Sequence, residues 1–498
     1  MYFLGIDIGT SFVKVSVVES NQGVLLGSVS YPDQELGILS VQVNWAEQEP
    51  KVWWDCTKKA ILKLFHTYDI RSREIKAIGI AYQMHGLVLV DNKQQVLRPS
   101  IIWCDSRAVE IGNQAFHELG EQKCLTHLLN SPGNFTASKL KWVKDHEPNL
   151  YSRIDKVLLP GDYIAMELTG ECCTTISGLS EGIFWDFRNH QLADFLLKYF
   201  EFDPNFIPKI VPTFSEQGYL KKDIAQELGL RPGIPVTYRA GDQPNNALSV
   251  DVFNPGEVAA TAGTSGVIYG VSDVVKYDTL SRVNTFAHIN HAQEKIRLGI
   301  LLCINGTGIL NSWMKNTLFR EKLDYDSMNF LASQAPIGSE GLVVLPFGNG
   351  SERVLKNHKV GGQFCNLNFN VHQIFHFFRA AQEGIVFSLK YGLDIMQEIG
   401  VQPKILRAGN ANMFLSPTFN HTLAGVAHLP IELYDTDGAQ GAARGAGIGS
   451  GHFLTKAEAF RGLEKLKTIE PNPEDKELYE AAYQNWLEVL IKHTRDLE

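Results

Sequence analysis

The chain opens on a short apolar run, Tyr2 to Ile8, which breaks at Gly9-Thr10-Ser11 and resumes in strict alternation. Val13, Val15 and Val17 fall on one side of the second run, Lys14 and Ser16 on the other, a period of two that predicts a strand. Strand, Gly-Thr-Ser and strand together predict a tight hairpin. The plan returns near mid-chain, where Val258 to Ala262 leads through Gly263-Thr264-Ser265 into Gly266 to Tyr269. Two such hairpins far apart predict two similar domains, which we place at residues 1–245 and 246–498.

Between the hairpins the period alternates between the helical and the extended. Pro50 opens an amphipathic helix whose Trp53, Trp54, Ile61, Leu64 and Phe65 recur at helical spacing and are read as core. Ile75 to Ala81 reads as a strand, followed by Tyr82-Gln83-Met84-His85-Gly86 and a second strand, Leu87 to Val90. Ile101 to Arg107 is an apolar strand ending in Asp105-Ser106-Arg107. Residues 130 to 148 read as helical, with Lys139 to Val143 on a surface helix. Thr174 to Gly182 reads as a polar loop, and Pro235 to Asn246 as strand, sharp Gly241 turn and helix start.

In the second half, Cys303 to Gly308 opens a helix containing Trp313, and Gly341 to Phe347 is a strand. Phe375 to Met396 is a long apolar-striped helix. Ile405 to Asn412 is strand-to-loop, with small residues that admit a flat ring. Gly438 to Gly451 is a run of small residues read as a helix packed tightly on a sheet. From Lys465 onward the chain reads as charged surface helices.

Composition narrows the choice of partner. A formal net charge of −9 with no basic block argues against nucleic acid or an anionic membrane surface. The seven cysteines are scattered without a C-x-x-C pair, which reads as reduced cytosolic thiols. No charged region precedes an apolar run at the N-terminus, and no run of ~18 apolar residues occurs, so neither a secretory signal nor a membrane span is expected and the location is read as cytoplasmic. Neither a G-x-G-x-x-G fingerprint nor a G-x-x-x-x-G-K-[ST] loop is present.

The chemistry must therefore come from the hairpins and loops. Each Gly-Thr-Ser turn gathers backbone N–H groups and hydroxyls into one concave space suited to phosphate, though an ordinary hairpin would use the same residues. Asp7 stands beside the first turn, where a carboxylate can hold Mg²⁺ through waters. Lys14 either reaches a phosphate or is a solvated strand residue. Gln83, Met84 and His85 end a strand, where polar groups suit a polyhydroxylated ligand; a satisfied loop histidine is the plainer reading of His85. Asp105 either pairs with Arg107 or accepts from a sugar hydroxyl. Asp242 follows a Gly turn at a helix start, a position that favours its ionised form and where it is either a cap or a proton acceptor.

Taken in order, these motifs resemble the FGGY-type carbohydrate kinases over nearly the whole length. They are Gly5 to Ser11 with Lys14, Asn44 to Gln48, Gln83 to Gly86, Trp103 to Arg107, Gly241-Asp242, Gly263 to Gly266 and Ala408 to Ala411. The Gly-Thr-Ser hairpins alone resemble the broader actin, Hsp70 and hexokinase-like ATPase fold, whereas Gln-Met-His-Gly is similar to the sugar loop of xylulokinases. The resemblance implies an α/β, two-lobed fold with duplicated ribonuclease H-like domains and a central cleft, sugar on the N-terminal lobe and ATP on the C-terminal lobe. It implies ATP-dependent phosphorylation of a ketopentose, D-xylulose above others, with Asp242 as catalytic base and Met84, His85, Gln83 and Asp105 toward the sugar. Gly9, Thr10, Ser11, Lys14, Gly263, Thr264 and Ser265 would hold phosphates, and Gly409, Asn410 and Asn412 the adenosine. Asp7 and Asp242 would organise Mg²⁺ through water.

Two departures stand out. Ala408 and Asn410 replace glycines common in the family's adenine loop, and Thr175 to Ser180 lacks an acidic residue often seen there. The alternatives are a kinase of gluconate, glycerol or ribulose, and a nucleotide or sugar sensor without turnover. The expected partners are the sugar and ATP; a homodimer is left open.

Overall fold

The computed structural model describes residues 1–318, 323–350 and 352–495. They form two compact units. The first comprises Met1–Asp251, Phe286–Leu298 and Thr436–Leu463; the second comprises Val252–Thr285, Gly299–Asp435 and Glu464–Glu498. A single division after residue 245 therefore omits two returns of the chain, and the second return contains the run of small residues.

The first unit is built on five strands: β1 (Tyr2–Ile8), β2 (Val13–Glu19), β3 (Leu25–Tyr31), β4 (Ile75–Tyr82) and β5 (Val236–Gly241), in the order β5-β4-β1-β2-β3. β1, β2 and β3 are antiparallel neighbours, while β4 runs parallel to β1 and β5 parallel to β4. Alternation sorts β1 between two cores. Leu4, Ile6 and Ile8 join Val13, Val15 and Val17 with Trp53, Ile61 and Leu64 of the helix Pro50–Thr67. Phe3 joins Ala77, Ala443 and Ala446 on the other side, so Gly5 and Asp7 share a face with Phe3.

That second face receives the helix Gly438–Gly449. Gly5 and Gly79 are register partners on β1 and β4. A Cβ on Gly5 would lie 1.9 Å from the Ala439 carbonyl oxygen, and one on Gly79 2.0 Å from that of Ala442. The helix rests its backbone on the sheet only because both positions lack side chains. The sequence reading of a small-residue helix on a sheet thus holds, and the sheet is that of the first unit.

The second unit repeats the scheme. Its strands β6 (Glu257–Ala262), β7 (Gly266–Ser272), β8 (Leu298–Ile304), β9 (Ile405–Gly409), β10 (Ile431–Tyr434) and β11 (Lys465–Ile469) run β8-β7-β6-β9-β10-β11. Hairpin β6–β7 and parallel neighbour β9 correspond to hairpin β1–β2 and parallel neighbour β4.

Three local expectations change. Residues 174–182 are not a loop: Ile176–Glu181 is a helix, with the Thr175 hydroxyl accepting from the Gly178 N–H at 3.0 Å. The region from Lys465 starts with a strand, and the following helix Lys476–Thr494 buries Tyr479, Tyr483 and Trp486. Trp486 Nε1 donates to the Val344 carbonyl at 3.0 Å, which explains an apolar face within a charged stretch. Lys139 is fully buried instead of lying on a surface.

The glycine contact gives the first prediction. Gly79→Val must lift the helix from the sheet or bend the strand, and should destabilise the protein by at least the roughly 1–3 kcal/mol of an overpacked core. A thermal melt measures this; a melting temperature equal to wild type would show that the contact is not tight.

Candidate active site

The face shared by Gly5 and Asp7 leads directly to a cluster of carboxyl groups. Asp7 is the last residue but one of β1, and Gly438 begins the helix above it; a Cβ on Gly438 would stand 2.2 Å from Asp7 Oδ2. Asn245 Nδ2 donates to the Gly438 carbonyl at 2.8 Å, fixing the helix Asp242–Ser249 to the same point. Asp437 caps the helix by accepting from the Gln440 N–H at 2.9 Å, and Lys14 Nζ lies 3.4 Å from Asp437 Oδ2. Lys14 is therefore neither free nor simply solvated. No local pattern marks Asp437 and Gly438; Asp before a small-residue run reads only as a cap.

Burial raises Asp7 to about 6, with Asp437 adding to the rise and Lys14 opposing it. Burial, with the Asp7 charge adding to it, raises Asp242 to about 7. The helix start at Asp242 does not keep it ionised: desolvation and a neighbouring carboxylate outweigh one turn of helix dipole. The pair fits a hard divalent cation. Two crowded carboxylates supply oxygen donors, and a positive charge between them would relieve the repulsion that lifts both. Among the described residues no group of three or more His, Cys, Asp or Glu is arranged to hold a metal, so waters would complete the shell.

Next to this cluster lies the turn after β4. Gln83 N–H donates to the Ile8 carbonyl at 2.8 Å, and Gln83 Nε2 donates to Gln48 Oε1 at 3.1 Å. Thr10 Oγ1 donates to Gln83 Oε1 at 3.3 Å and accepts from Trp103 Nε1 at 2.9 Å. Gln83 is 2% exposed, and its amide is spent joining the first hairpin to this turn rather than facing a ligand. Met84 and Gly241 meet closely: a Cβ on Gly241 would lie 2.6 Å from Met84 Cγ and 2.5 Å from Glu181 Oε2. His85 has φ +62 and packs against Phe135 and Phe286, at 4.9 and 5.4 Å between ring centroids. Its Nδ1 is 2.9 Å from the Glu181 carbonyl. A carbonyl only accepts, so Nδ1 carries the proton. Glu181 follows the segment that lacks an acid and brings a carboxyl to the same place.

Asp105 is corrected as a ligand residue. It is completely buried; its Oδ1 accepts from the Arg107 backbone N–H at 2.8 Å and from Arg107 Nε at 3.0 Å, and its Oδ2 accepts from an Arg107 terminal nitrogen at 2.7 Å and from the Ala46 N–H at 2.6 Å. Arg107 continues to Glu47 at 2.6 Å and stacks 3.8 Å from the Trp45 ring. The pairing alternative wins because both carboxylate oxygens are already satisfied.

In the second unit the Gly263-Thr264-Ser265 turn joins β6 to β7. The Gly308 N–H donates to the Gly263 carbonyl at 2.9 Å and the Ile309 N–H to that of Thr264 at 3.1 Å. Beside this crosslink is a cavity of about 440 Å³ whose lining includes Gly263, Thr264, Gly308, Asn311, Asn412 and Ser416. Its size suits a nucleotide. Of the residues the resemblance assigns to ATP in this half, Gly263, Thr264 and Asn412 line it. Ser265, Gly409 and Asn410 do not; Gly409 ends β9, and the Asn410 N–H is held by the Tyr434 carbonyl at 2.9 Å. Gly308 and Asn311 belong to the Asn-Gly-Thr-Gly loop and the helix after it, for which the sequence offered only a helix start.

The raised Asp242 makes a stability prediction. Its affinity for a proton is higher in the folded chain (about 7) than at the ordinary value of 3.8, so folding stability contributed here falls as pH rises through this window. Asp242→Asn removes that loss. Without divalent metal, the variant should gain about 3 kcal/mol over wild type between pH 5 and pH 8, at roughly 1.4 kcal/mol per unit. Parallel stability-pH curves for the two proteins would mean that Asp242 is not desolvated.

Comparison with known proteins identifies the family. Residues 2–249 match the N-terminal domain of the FGGY family of carbohydrate kinases, and residues 258–449 match its C-terminal domain. Xylulose kinase of Escherichia coli (strain K12) is 29% identical over 449 residues, 89% of this chain and 88% of that protein. The crystal structure of xylulose kinase from Rhodospirillum rubrum superposes with TM-score 0.89 at 26% identity, over 100% of this chain and 99% of that one. Gluconate kinase from Lactobacillus acidophilus shares the fold at TM-score 0.90 and 23% identity, over 99% of this chain and 98% of that one. With both domains matched in order and the two hairpins in place, the chain belongs to the FGGY family of carbohydrate kinases.

Proposed function

We propose that this chain phosphorylates a ketopentose with ATP, converting D-xylulose to D-xylulose 5-phosphate. The observation that carries the reading is the contact of Met84 with Gly241, which sets the Gln-Met-His-Gly turn directly against the residue before Asp242. A sugar held at Met84 and His85 would have its hydroxyl beside a carboxyl poised near neutrality, where a general base works best. In this reading the first unit takes the sugar and the second takes ATP, in the cavity lined by Gly263, Thr264 and Asn412.

The primary hydroxyl oxygen attacks the γ-phosphorus, the bond to the β,γ-bridging oxygen breaks, and ADP leaves with that electron pair. Asp242 receives the hydroxyl proton. Ser11 and Lys14 offer donors to phosphate oxygens, with Thr10 contributing through its backbone since its hydroxyl is engaged by Gln83 and Trp103, while the Gly9 N–H closes the hairpin on the Phe12 carbonyl at 3.0 Å. Magnesium, when bound, neutralises phosphate charge, and Asp7 and Asp242 are the residues to hold it through water. We place the protein in the cytosol, where ATP is at hand and its seven free thiols stay reduced.

Gluconate, glycerol and ribulose are the competing acceptors, because one fold serves gluconate and xylulose kinases alike. A coupled assay of ADP release over these three and D-xylulose decides among them; the highest kcat/KM is expected for D-xylulose, and a higher value for gluconate would overturn the assignment. Asp242→Asn keeps the shape and the capping oxygen but cannot take the proton. It should lose about 10²–10⁴-fold in kcat while still binding sugar and ATP. Near-wild-type turnover in a folded variant would remove Asp242 from the mechanism, and turnover by the wild type on any acceptor excludes the sensor alternative.

A further inference from the structure

The peptide of His85 is held from two sides by buried ionisable side chains. Lys139, on the helix Thr136–His146, donates from Nζ to the His85 carbonyl at 2.9 Å and to the Ile102 carbonyl at 2.9 Å. It thereby ties the turn after β4 to the segment that leads to Trp103 and Asp105. On the other side Glu181 Oε1 accepts from the His85 N–H at 3.3 Å, and the Glu181 carbonyl accepts from the His85 ring. The same carboxyl lies over Gly241, the residue before Asp242.

These two groups are unusual tenants of a core. A buried ammonium survives only with good acceptors around it. Burial lowers Lys139 to about 7, while Asp105 and Cys104 support its charge and Arg107 opposes it. Burial raises Glu181 well above the usual carboxylate range, and the His85 N–H only partly offsets this. Neither group is explained by packing alone, because an apolar side chain would fill either site without desolvation. What they have in common is His85, whose left-handed backbone conformation is unfavourable for a side-chain-bearing residue and persists only where the surroundings impose it.

We propose that Lys139 and Glu181 are positioning residues for the acceptor sugar, clamping the His85 peptide from both sides and so setting sugar affinity. The proposal rests on the reading that Met84 and His85 take the sugar. Neither residue touches the reacting atoms. Loss of the clamp should weaken binding that is made equally in ground and transition states, which raises KM and leaves kcat largely intact.

Steady-state kinetics of the full chain test this with D-xylulose and ATP varied separately, each variant checked by thermal melt. Lys139→Met keeps the volume and removes the donors; it should raise KM for the sugar about tenfold, with KM for ATP unchanged. Glu181→Gln retains an oxygen for the His85 N–H and should stay close to wild type, whereas Glu181→Leu should reproduce the Lys139→Met effect. Because both act on the backbone of one residue, the double variant should fall short of the product of the two. A folded Lys139→Met variant with wild-type sugar KM overturns the clamp. So does a Glu181→Leu variant whose only defect is a lower melting temperature, and that second result decides the matter if Lys139→Met does not fold. Wild-type protein inactive on every acceptor of the panel would overturn the kinase reading and this proposal with it. An active wild type with the outcomes above overturns the clamp alone.

Discussion

A helix can lie with its backbone against a sheet only where the sheet offers no side chains, and in the first unit Gly5 and Gly79 provide that gap side by side. The consequences reach the site at once. With the helix Gly438–Gly449 seated so low, its first residue meets Asp7, its carbonyl takes Asn245, and Asp437 comes within reach of Lys14. Further along, Thr237 donates to the Ala446 carbonyl at 2.8 Å, and Arg444 reaches the carbonyls of Gly23 and Ala459 at 3.0 and 2.7 Å. The Thr237 bond uses a helix carbonyl that would stand too far away if larger side chains spaced helix and sheet. The geometry at Asp7 and Asp242 is thus inherited from two missing Cβ atoms a turn or more distant.

Close packing of that kind makes the electrostatics adverse. Asp7, Asp437 and Asp242 are brought together with Lys14 as the nearby cation, and desolvation raises both Asp7 and Asp242. A core selected for stability alone would not hold such a cluster. The same arrangement is useful for proton transfer, since a carboxyl poised near neutrality both accepts a proton readily and releases it again. Stability and chemistry pull in opposite directions at these residues, and the first is sacrificed locally to the second.

Much of this was legible from the chain. Both hairpins, the Gly241–Asp242 turn and the long helix Ile374–Glu398 follow from periodicity and from turn residues, which are local signals. Family resemblance then pointed to Met84, His85 and Asp242 because their motifs are contiguous. Contiguity fails for the residues completed by distant parts of the chain. Asp105 offered two readings, and only the three-dimensional approach of Ala46 and Arg107 chooses between them. Residues 436–463 sit late in the sequence yet complete the first unit, because their small side chains match glycines at positions 5 and 79. A two-domain cut by sequence order has no means of showing this.

Lys139 and Glu181 are the hardest case, and the reason is physical. A lysine in Lys-Leu-Lys-Trp-Val has the pattern of a solvated helix, since charge is ordinarily exposed. Its acceptors are the carbonyls of His85 and Ile102, and every residue carries a carbonyl, so nothing in the sequence marks them. The second unit holds a parallel. Glu352 is fully buried and accepts from the Asn305 N–H at 2.9 and 3.1 Å, with burial raising it to about 7. Asn305 begins the loop whose Gly308 is bonded to the Gly263 turn. In both units a buried ionisable group is satisfied by the backbone of a loop that borders a candidate ligand site. Such a group gains nothing from solvent and little from a charged partner, so its free energy depends on the loop keeping one conformation. That dependence runs both ways: a loop whose peptide groups satisfy a buried charge cannot relax without stranding it, which gives a short, glycine-containing segment the rigidity that ligand recognition requires.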